Sequence, residues 1–260
     1  MLTYADAINN LAKFCGKKDL ESLTQTNLKE QFNIEQVDVL VLLGGSILSG
    51  GDCLTKAINN NIAKKYLIVG GYGHTSASLF ENMEKEYPNS TKEINSEAEL
   101  FAKYLELKYK LTADFLETKS TNCGNNITNL LELVRENNLE MESILLIQDA
   151  TMQLRMDVTL RKYISSDVTI INYPAYEVEV TSSDNQLRYS SVIAGMWDTE
   201  RYISLLMGEI PRLTDNLTGY GPKGKDFLVH IDIPENITAS YEVLKEIFPD
   251  ATRIANPDFA

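Results

Sequence analysis

The chain has 260 residues, 43% of them hydrophobic, which suits one large α/β domain or a domain with a smaller appendage. Asp and Glu outnumber Lys and Arg by 37 to 24, so the formal net charge is -13 at pH 7. A surface this acidic repels the phosphate backbone of nucleic acids and anionic membranes, so we expect neither as a partner.

No segment of the sequence has the length of a membrane span. The longest apolar run covers residues 39–43, whereas a spanning helix needs roughly 20 residues. The first residues, MLTYADAINNLAKF, have no basic stretch ahead of an apolar core, which a secretory signal would have. We therefore expect a soluble cytoplasmic protein.

The three cysteines, Cys15, Cys53 and Cys123, are widely spaced along the chain. They form no CxxC pair and no Cys/His spacing of the kind that binds zinc, and an odd number of scattered cysteines argues against a disulfide framework. Cys123 falls on the apolar face of a predicted helix, which favours a place in the core. The alternative is a nucleophilic thiol at the helix N-terminus, but the sequence shows no suitably placed base. We predict three reduced thiols and no metal site.

Helical spacing of apolar residues marks the N-terminal segment, residues 1–36. It precedes VDVLVLLGG (37–45) and KYLIVGG (65–71), two runs of branched apolar residues that each end in two glycines. Such continuous runs are typical of parallel strands that are buried on both faces. The apolar residues between them recur at helical spacing, which predicts a βαβ unit with a right-handed crossover.

The alternation of strands and helices continues along the chain. A helix over about 96–109 is followed by strands near 114–116, at SILLIQD (143–149) and at VTIINYP (168–174), with helices between them. Five strands that alternate with helices predict a Rossmann-like, doubly wound, mainly parallel α/β/α sheet. In such sheets, ligands bind beyond the C-terminal ends of the strands.

The pattern predicts three parts of the chain. Residues 37–184 form the Rossmann-like α/β domain, and residues 185–260 form a smaller, mainly helical subdomain, with which the N-terminal helical segment packs. SSDN (182–185) is the candidate hinge between the two. Within the subdomain, the alternating segment FLVHIDI (227–233), which contains His230, is typical of a strand.

The first candidate binding loop is GGSILSGGD (44–52), which follows the first strand. Gly44 and Gly45 permit a close backbone approach, and an anionic group could bind at Ser46 and the N-terminus of the next helix. The alternative is that the glycines only make a tight turn. The spacing is not GxGxxG, and no acidic residue ends the second strand, so we expect no ordinary NAD site.

Two more segments carry candidate acid–base groups. GGYGHTS (70–76) holds Gly71 and His74 at the end of the second strand, where a histidine could act as a base or donor or could make only local hydrogen bonds. Glu97, in NSEAE (95–99), falls in the first turn of a predicted helix. It either only complements the helix dipole or also faces the ligand edge of the sheet.

Polar residues crowd the start of the next helix in ETKSTNCGNNITNLLELV (117–134). One hydroxyl, from Ser120 or Thr121, is enough to cap that helix. The additional amides of Asn122 and Asn126 favour a polar pocket that also uses free backbone N–H groups to hold a ligand. A helix cap alone is the alternative.

Two later loops could contact an anion. In QDATMQLR (148–155), Asp149 could accept hydrogen bonds from ligand hydroxyls and Arg155 could bind a carboxylate or phosphate, although a capping aspartate and a surface arginine explain the pattern equally well. In GYGPKGKD, Lys223 and Lys225 stand among glycines. That segment is either a mobile lid over the ligand or an ordinary surface turn.

The order of these loops resembles the YdcF-like branch of the SanA/YdcF family of bacterial proteins, a domain of unknown function. The resemblance covers nearly the whole chain and rests on GGYGHTS, SEAE, STNCGNN, QDATMQLR, WDTERYISLLMGEIPRL (197–213) and GYGPKGKDFLVHIDIP (219–234). It implies a Rossmann-like α/β/α domain with a smaller helical domain, and a cleft that binds S-adenosylmethionine. It implies no particular reaction.

The wider family pattern, similar to E-x-x-S-x-N-T-x-E-N, falls on Glu117, Ser120, Asn122 and Asn126. Two positions depart from it, because Cys123 replaces a threonine and Asn125 replaces a glutamate. Met152 also stands where much of the wider family has a histidine. These departures argue against the acid–base or metal chemistry proposed for distant members.

We therefore expect a protein that binds S-adenosylmethionine or a similar nucleotide-like ligand at the C-terminal edge of the sheet. The expected contact residues are Gly44, Gly45, Ser46, Gly71, His74, Glu97, Ser120, Thr121, Asn122, Asn126, Asp149 and Arg155. If the ligand is S-adenosylmethionine, methyl transfer would mainly require alignment of an acceptor, which the sequence does not name.

Two other functions are compatible with the sequence. The protein could be a hydrolase of phosphate or envelope-precursor substrates, with His74 and Glu97 or Glu117 as acid and base. It could instead be a regulatory protein whose C-terminal helices dock a partner. The pocket is catalytic in the first case and has no catalytic role in the second.

Overall fold

The computed structural model describes residues 2–73, 75–183, 186–249 and 251. Its centre is a parallel sheet of five strands: β1 (Val37–Leu43), β2 (Ala63–Val69), β3 (Phe115–Glu117), β4 (Ser143–Gln148) and β5 (Thr169–Pro174). The strands lie side by side in the order β3-β2-β1-β4-β5. This arrangement confirms the predicted Rossmann-like α/β fold, with the five strands predicted for the sheet in place.

Helices cover both faces of the sheet. The described residues contain nine α-helices: α1 (Tyr4–Cys15), α2 (Gln25–Phe32), α3 (Ser49–Asn59), α4 (Ser76–Glu86), α5 (Glu97–Tyr109), α6 (Cys123–Glu136), α7 (Gln153–Leu160), α8 (Thr199–Leu213) and α9 (Glu235–Ile247). Helices α3, α4 and α5 pack on one face, and α6 and α7 pack on the other. None of these described helices combines the length and the apolarity that a bilayer crossing requires.

The central strand β1 shows why these residues form a three-layer structure. All of its residues are buried. Leu40 and Leu42 pack in the cluster with α3, α4 and α5. Val39, Val41 and Leu43 pack in the cluster with α6 and α7. Successive side chains of a strand point to opposite faces, so a strand that is covered on both sides is apolar almost throughout.

The register of the strands brings the loops after β1, β2 and β3 together. Leu43 pairs with Val69, and Val69 pairs with Glu117. The N–H of Gly44 donates to the carbonyl oxygen of Val69 at 2.6 Å, and the N–H of Gly70 donates to that of Glu117 at 3.0 Å. The three strands therefore end level at one edge of the sheet, where Rossmann-like folds bind ligands.

The C-terminal helices pack on the first helix of the chain. Helices α1, α8 and α9 share a cluster whose buried members include Ile8, Leu11, Leu206 and Leu244. Helix α2, in contrast, packs with the sheet through Leu28. Two segments from opposite ends of the chain thus form one apolar cluster beside the sheet.

A two-stranded antiparallel hairpin, β6 (Val180–Ser183) and β7 (Gln186–Tyr189), follows the main sheet. It is attached to α1, because the side chain of Asn9 donates to the carbonyl oxygen of Val180 at 2.9 Å and accepts its N–H at 2.8 Å. Of the predicted hinge, residues 184 and 185 lie outside the described part of the chain. The residues on either side belong to this hairpin.

The segment FLVHIDI, predicted as a strand, pairs with no strand in the described part of the chain. Leu228 is buried against Val158 of α7, and the N–H of Val229 donates to the carbonyl oxygen of Val158 at 3.2 Å. His230 is half exposed, and its Nδ1 lies 2.7 Å from a carboxylate oxygen of Asp215. The strand prediction is wrong, because an extended segment that lies on a helix also alternates buried and exposed side chains.

Candidate functional site

A pocket of about 450 Å³ opens at the C-terminal edge of the sheet, where β1 and β2 end. Its floor includes Gly44, Gly71 and Gly73. Its walls are the N-terminal part of α6, one side of α7, the end of α8 and the segment 219–227. Elements that are distant in sequence enclose it, and its volume suits a small organic ligand.

Two glycines of the floor are required because other groups lie directly against them. A Cβ at Gly44 would overlap Oε2 of Glu97, and a Cβ at Gly71 would overlap the carbonyl oxygen of Ser120. Gly71 is also bound by Ser120, whose Oγ accepts its N–H at 2.9 Å. The glycines therefore let the loop after β3 and the side chain of Glu97 approach the strand ends closely.

Glu97 lies at the base of the pocket, and its backbone is held on both sides. Ser96 caps α5 by accepting the N–H of Glu99 at 3.1 Å. The N–H of Glu97 donates to the carbonyl oxygen of Gly71 at 2.8 Å, and that of Ala98 donates to Gly70 at the same distance. The first turn of α5 is therefore fixed to the loop after β2.

The two carboxyl oxygens of Glu97 have different surroundings. Oε1 accepts a hydrogen bond from Oγ of Ser76 at 2.6 Å. Oε2 lies against Gly44 in the pocket and has no hydrogen-bond partner among the described residues. Glu97 is only 7% exposed, and this burial raises its pKa to about 7, although the bond from Ser76 lowers the pKa. Glu97 can therefore gain or lose a proton near neutral pH.

Asn122 caps helix α6. Its backbone is extended, and its Oδ1 accepts the N–H of Asn125 at 2.9 Å. The predicted cap, Ser120 or Thr121, is wrong, because the hydroxyl of Ser120 binds Gly71 and that of Thr121 donates to Oδ1 of Asn125 at 3.1 Å. Capping needs only one of these side chains, so it does not account for the whole polar cluster.

The same turn of α6 presents unpaired polar groups to the pocket. The N–H groups of Cys123 and Gly124, the first two of the helix, donate to no acceptor in the described part of the chain. The carboxamide of Asn126 lines the pocket, is 9% exposed and forms no hydrogen bond to a described residue. These groups face the open pocket, so a bound molecule that accepts and donates hydrogen bonds can take the place of water there.

Arg155 lines the pocket but is already paired with an acid. Its Nε and Nη2 donate to the two carboxylate oxygens of Glu209 at 2.6 and 3.0 Å, and both residues are buried. Nη2 also contacts Sδ of Met152 at 3.0 Å. The pair joins α7 to α8, and the carboxylate of Glu209 neutralises the guanidinium. Glu209 therefore binds Arg155 where the sequence analysis expected the carboxylate or phosphate of a ligand.

The outer wall of the pocket combines positive charge with aromatic rings. Nζ of Lys225 lies 5.5 Å from the ring centre of Tyr220 and 6.0 Å from that of Phe227, and it forms no ion pair with a described residue. The guanidinium of Arg212 lies 5.9 Å from the same Tyr220 ring and also donates to the backbone of α8. Tyr163 contributes a third ring. This wall suits an anionic ligand that has a flat ring.

The segment that carries Lys225 is a closed loop. The N–H of Phe227 donates to the carbonyl oxygen of Tyr220 at 2.7 Å. The N–H of Lys223 donates to Oδ1 of Asp215 at 2.8 Å. Of the two lysines predicted to contact an anion, Lys225 lines the pocket, whereas Lys223 is not among the lining residues.

Gly45, Ser46 and Asp149 lie outside this pocket, although the sequence grouped them with it. They line a separate cavity of about 10 Å³, which is no larger than a water molecule needs. Asp149 accepts hydrogen bonds from Tyr176 at 2.6 Å and from the hydroxyl of Thr151 at 2.9 Å, and burial raises its pKa. Asp149 thus binds neighbouring side chains where a ligand contact was expected.

Glu117, another acid–base candidate from the sequence, does not line the pocket. Glu117 accepts the N–H groups of Lys119 at 2.6 Å and Ser120 at 3.1 Å, and the amide of Asn129 at 3.0 Å. Its carboxylate therefore holds the loop after β3 in shape. His74 lies outside the described residues.

The sequence did not point to most of the outer wall. Tyr163 follows α7, Arg212 ends α8 and Tyr220 comes after it, and no spacing rule links these positions. The lysines of GYGPKGKD were the one usable signal. Cys123, predicted in the core, packs against the core cluster but also lines the pocket.

The search for metal-binding clusters and the comparison with protein families identify no further feature of the site. In residues 2–73, 75–183, 186–249 and 251, no group of three or more His, Cys, Asp or Glu side chains is arranged to hold a metal ion. Compared with models of known protein families, the chain matches none.

Proposed function

We propose that the pocket binds a small nucleotide-like molecule that carries an anionic group. The observation that supports this most directly is the sign of the charge in the pocket. Arg212 and Lys225 both line it, and Glu97 is the one carboxyl-bearing residue among the described lining residues. In a chain of net charge -13, the ammonium of Lys225, which forms no ion pair with a described residue, and a single acid of raised pKa make this site far less negative than the protein as a whole.

The separate parts of the pocket match the parts of such a ligand. Lys225 and Arg212 are suited to a phosphate or carboxylate group. The rings of Tyr163, Tyr220 and Phe227 supply aromatic surface that a base can contact. The N–H groups at the start of α6 and the amide of Asn126 are suited to acceptor oxygens between these two ends. A molecule that is anionic, rich in acceptors and partly aromatic has the chemistry of a nucleotide.

S-adenosylmethionine, the ligand that the resemblance implies, fits this set of residues only in part. Its adenine can contact the same aromatic rings as the base of a nucleotide, and its carboxylate can contact the same cations as a phosphate group. Its sulfonium and its ammonium group are both positive, and among the described lining residues only Glu97 could compensate them. We therefore expect S-adenosylmethionine to bind more weakly than an adenine nucleotide that carries phosphate groups.

Calorimetric titration with four compounds tests this proposal. ADP, adenosine, inorganic phosphate and S-adenosylmethionine are titrated into the purified protein at the same ionic strength. We expect saturable binding of ADP, weaker binding of adenosine and of S-adenosylmethionine, and an affinity for ADP that falls as salt rises. Absence of saturable binding by both phosphate-bearing compounds would overturn the anion site.

Two neighbouring lysines supply a matched control. Lys225→Ala removes a cation that lines the pocket, whereas Lys223→Ala removes one that does not. We expect the first change to weaken ADP binding about tenfold, or about 1.4 kcal/mol, and the second to leave it within about twofold. Equal losses in the two variants would mean that only the overall charge of the protein matters.

A hydrolase that acts on a phosphate-bearing substrate is the second candidate, and Glu97 favours it. A carboxyl group with a pKa of about 7 in a ligand pocket is suited to proton transfer at neutral pH. In such a step a water oxygen bonds to phosphorus while the bond to the leaving oxygen breaks. Glu97 protonates the leaving oxygen, and the proton that the water loses restores the acid.

Release of phosphate from ADP and of nitrophenol from p-nitrophenyl phosphate tests the hydrolase. We expect Glu97→Gln to remove the activity while circular dichroism shows an unchanged fold. Turnover at the wild-type rate in this variant, or no turnover of any phosphate ester by the wild-type protein, would leave binding without hydrolysis.

A further inference from the structure

The hydrogen bonds around Glu97 determine which of its oxygens carries a proton. Oγ of Ser76 accepts the N–H of Gly73 at 2.7 Å, and it donates its own hydrogen to Oε1 of Glu97 at 2.6 Å. Oε1 is therefore an acceptor in both protonation states. When the carboxyl group is neutral, its proton lies on Oε2, the oxygen that faces the pocket and has no partner among the described residues.

We propose, building on the nucleotide site described above, that Glu97 contacts the ligand as a hydrogen-bond donor: the O–H of Oε2 donates to an oxygen of the bound anion, and binding takes up a proton. The neighbouring groups support a donor at this position. The N–H groups of Cys123 and Gly124 and the ammonium of Lys225 are all donors, so the ligand presents acceptors. A charged carboxylate would repel such a ligand, whereas a neutral carboxyl group binds it.

Other titratable groups near Glu97 are bound elsewhere or lie across the pocket. They are Glu99 on α5, Glu117 after β3, Cys123 on α6, Asp149 after β4, the Arg155–Glu209 pair of α7 and α8, Tyr163, and Arg212, Tyr220 and Lys225 on the outer wall. His74, in the loop after β2, lies outside the described residues. None of the described groups forms a hydrogen bond to Glu97. Among the described residues, burial and the hydrogen bond from Ser76 therefore set the protonation of this carboxyl group in the free protein.

The direction of the pH dependence follows from this arrangement. In the free protein the pKa of Glu97 is about 7, so about half of the molecules hold the proton at pH 7. A ligand that accepts a hydrogen bond from the O–H of Glu97 stabilises the neutral acid and raises this pKa further. Binding at pH 7 then takes up as much as about half a proton from this residue. Affinity is constant below about pH 6 and falls by up to roughly tenfold per pH unit above pH 7.

Glu97→Gln distinguishes a donor from an acceptor. The carbonyl oxygen of glutamine can accept from Ser76, and its amide nitrogen then takes the place of the O–H as a donor that cannot ionise. ADP, AMP and inorganic phosphate are titrated into both proteins between pH 5.5 and 8.5, in two buffers of different ionisation enthalpy, which gives the number of protons taken up. The ionisation of the phosphate groups, with a pKa near about 6, contributes equally to both proteins and cancels in the comparison.

A donor at Glu97 requires a specific set of results. The variant binds ADP within about twofold of the wild-type protein at pH 5.5 and up to about thirtyfold more tightly at pH 8.5. Only the wild-type protein shows the additional proton uptake. Weaker binding by the variant at every pH, or proton release by the wild-type protein, would show that Glu97 accepts from the ligand and would overturn the inference. Identical pH profiles would show that Glu97 does not contact it.

Ser76→Ala gives a second test that does not change Glu97 itself. The hydrogen bond from Ser76 lowers the pKa of Glu97, so its removal raises that pKa. We expect the fall in ADP affinity to begin at a higher pH than in the wild-type protein. An unchanged profile would contradict the inference. If none of the three compounds binds the wild-type protein, the anion site itself fails, which is a different result from binding that is independent of Glu97.

Discussion

At the scale of single residues, Glu97 is subject to two opposing influences. It begins α5, where the partial positive charge of the helix N-terminus favours a carboxylate. It is also almost completely buried, which favours the neutral acid. The second influence is the larger one, because the pKa rises from its ordinary value of 4.5 to about 7. A group placed in this way destabilises the folded protein when it is charged.

We expect Glu97 to make the fold less stable as pH rises. The folded state holds this proton more tightly than the unfolded state, so unfolding releases it, and stability falls between about pH 4.5 and pH 7. Above pH 7 the loss is complete and amounts to about 3 kcal/mol. Glu97→Gln should therefore match the wild-type protein near pH 4.5 and exceed it by up to about 3 kcal/mol at pH 8 in urea denaturation. A constant difference across this range would mean that the carboxyl group titrates as it does in the unfolded chain.

Cys123 differs from the other two cysteines in its access to solvent. Cys15 is 1% exposed and Cys53 is 5% exposed, and burial raises the pKa of Cys53 to about 12 and that of Cys15 well above its usual value. Cys123 lines the pocket. We expect iodoacetamide to modify Cys123 first and saturating ADP to slow the reaction, because thiol access controls the rate. Peptide mass spectrometry locates the label, and Cys123→Ser should lose it; equal labelling of Cys53 would contradict the expectation.

At the scale of elements, the Arg155–Glu209 pair connects α7 on the sheet to α8 of the C-terminal helices. Both partners are buried and joined by two hydrogen bonds. A buried pair of this kind adds little net stability, but either partner is costly when left alone. The pair also fixes α8, whose end carries Arg212 into the outer wall of the pocket.

Glu209→Ala should be strongly destabilising. It leaves the guanidinium of Arg155 buried without a counter-charge, which costs about 3–5 kcal/mol. The control is Glu132→Ala, which removes an exposed acid that faces Arg135 on α6 and should change the free energy of unfolding by about 0.5 kcal/mol or less. Urea denaturation measures both. A loss below about 1 kcal/mol in Glu209→Ala would mean that water reaches the arginine in the variant.

The sheet and its helices could be predicted from the sequence because each strand is an uninterrupted apolar run. Strand β1 is buried on both faces. A short apolar run such as VDVLVLL, with segments of helical spacing before and after it, is typical of a buried parallel strand. FLVHIDI shows the limit of this argument. Its alternation records which side chains face α7 and which face solvent, and local sequence does not show whether a second strand lies beside it.

The pocket could be predicted only where it is built from strand ends. Asn122 could be predicted because it lies between the end of β3 and the start of the next helix. Glu97 could be predicted because it begins the helix that follows NS in NSEAE. Asp149 follows β4 in the same way, yet it accepts a hydrogen bond from Tyr176 and lines a separate small cavity. The sequence did not indicate Tyr163, and it offered the segment that contains Tyr220 only as a possible lid, because the approach of both rings depends on how α8 and the following loop pack on α7.

At the scale of the whole molecule, the first and last described helices stabilise each other. Leu11 of α1 is fully buried in the cluster that α8 and α9 complete. The hairpin is held to the same helix by Asn9. The helices beside the sheet therefore depend on a segment that comes before all five strands.

Leu11→Ala tests this dependence. Removal of a fully buried leucine side chain should lower the free energy of unfolding by about 2–5 kcal/mol. Lys13→Ala, an exposed change on the same helix, should stay within about 0.5 kcal/mol. Urea denaturation gives both values. A single cooperative transition in the Leu11 variant is expected, and two separate transitions would mean that the sheet and the C-terminal helices unfold independently.

The pairing of α1 with α8 and α9 also affects synthesis of the chain on the ribosome. Helix α1 is made before the five strands of the sheet, whereas α8 and α9, which cover Ile8 and Leu11, are made after them. At roughly 5–20 residues per second, the apolar side of α1 waits on the order of ten seconds or more for its partners. During that time the sheet can form without it. The nascent chain thus carries an uncovered amphipathic helix, and such a segment is the kind that a chaperone acting on nascent chains would bind.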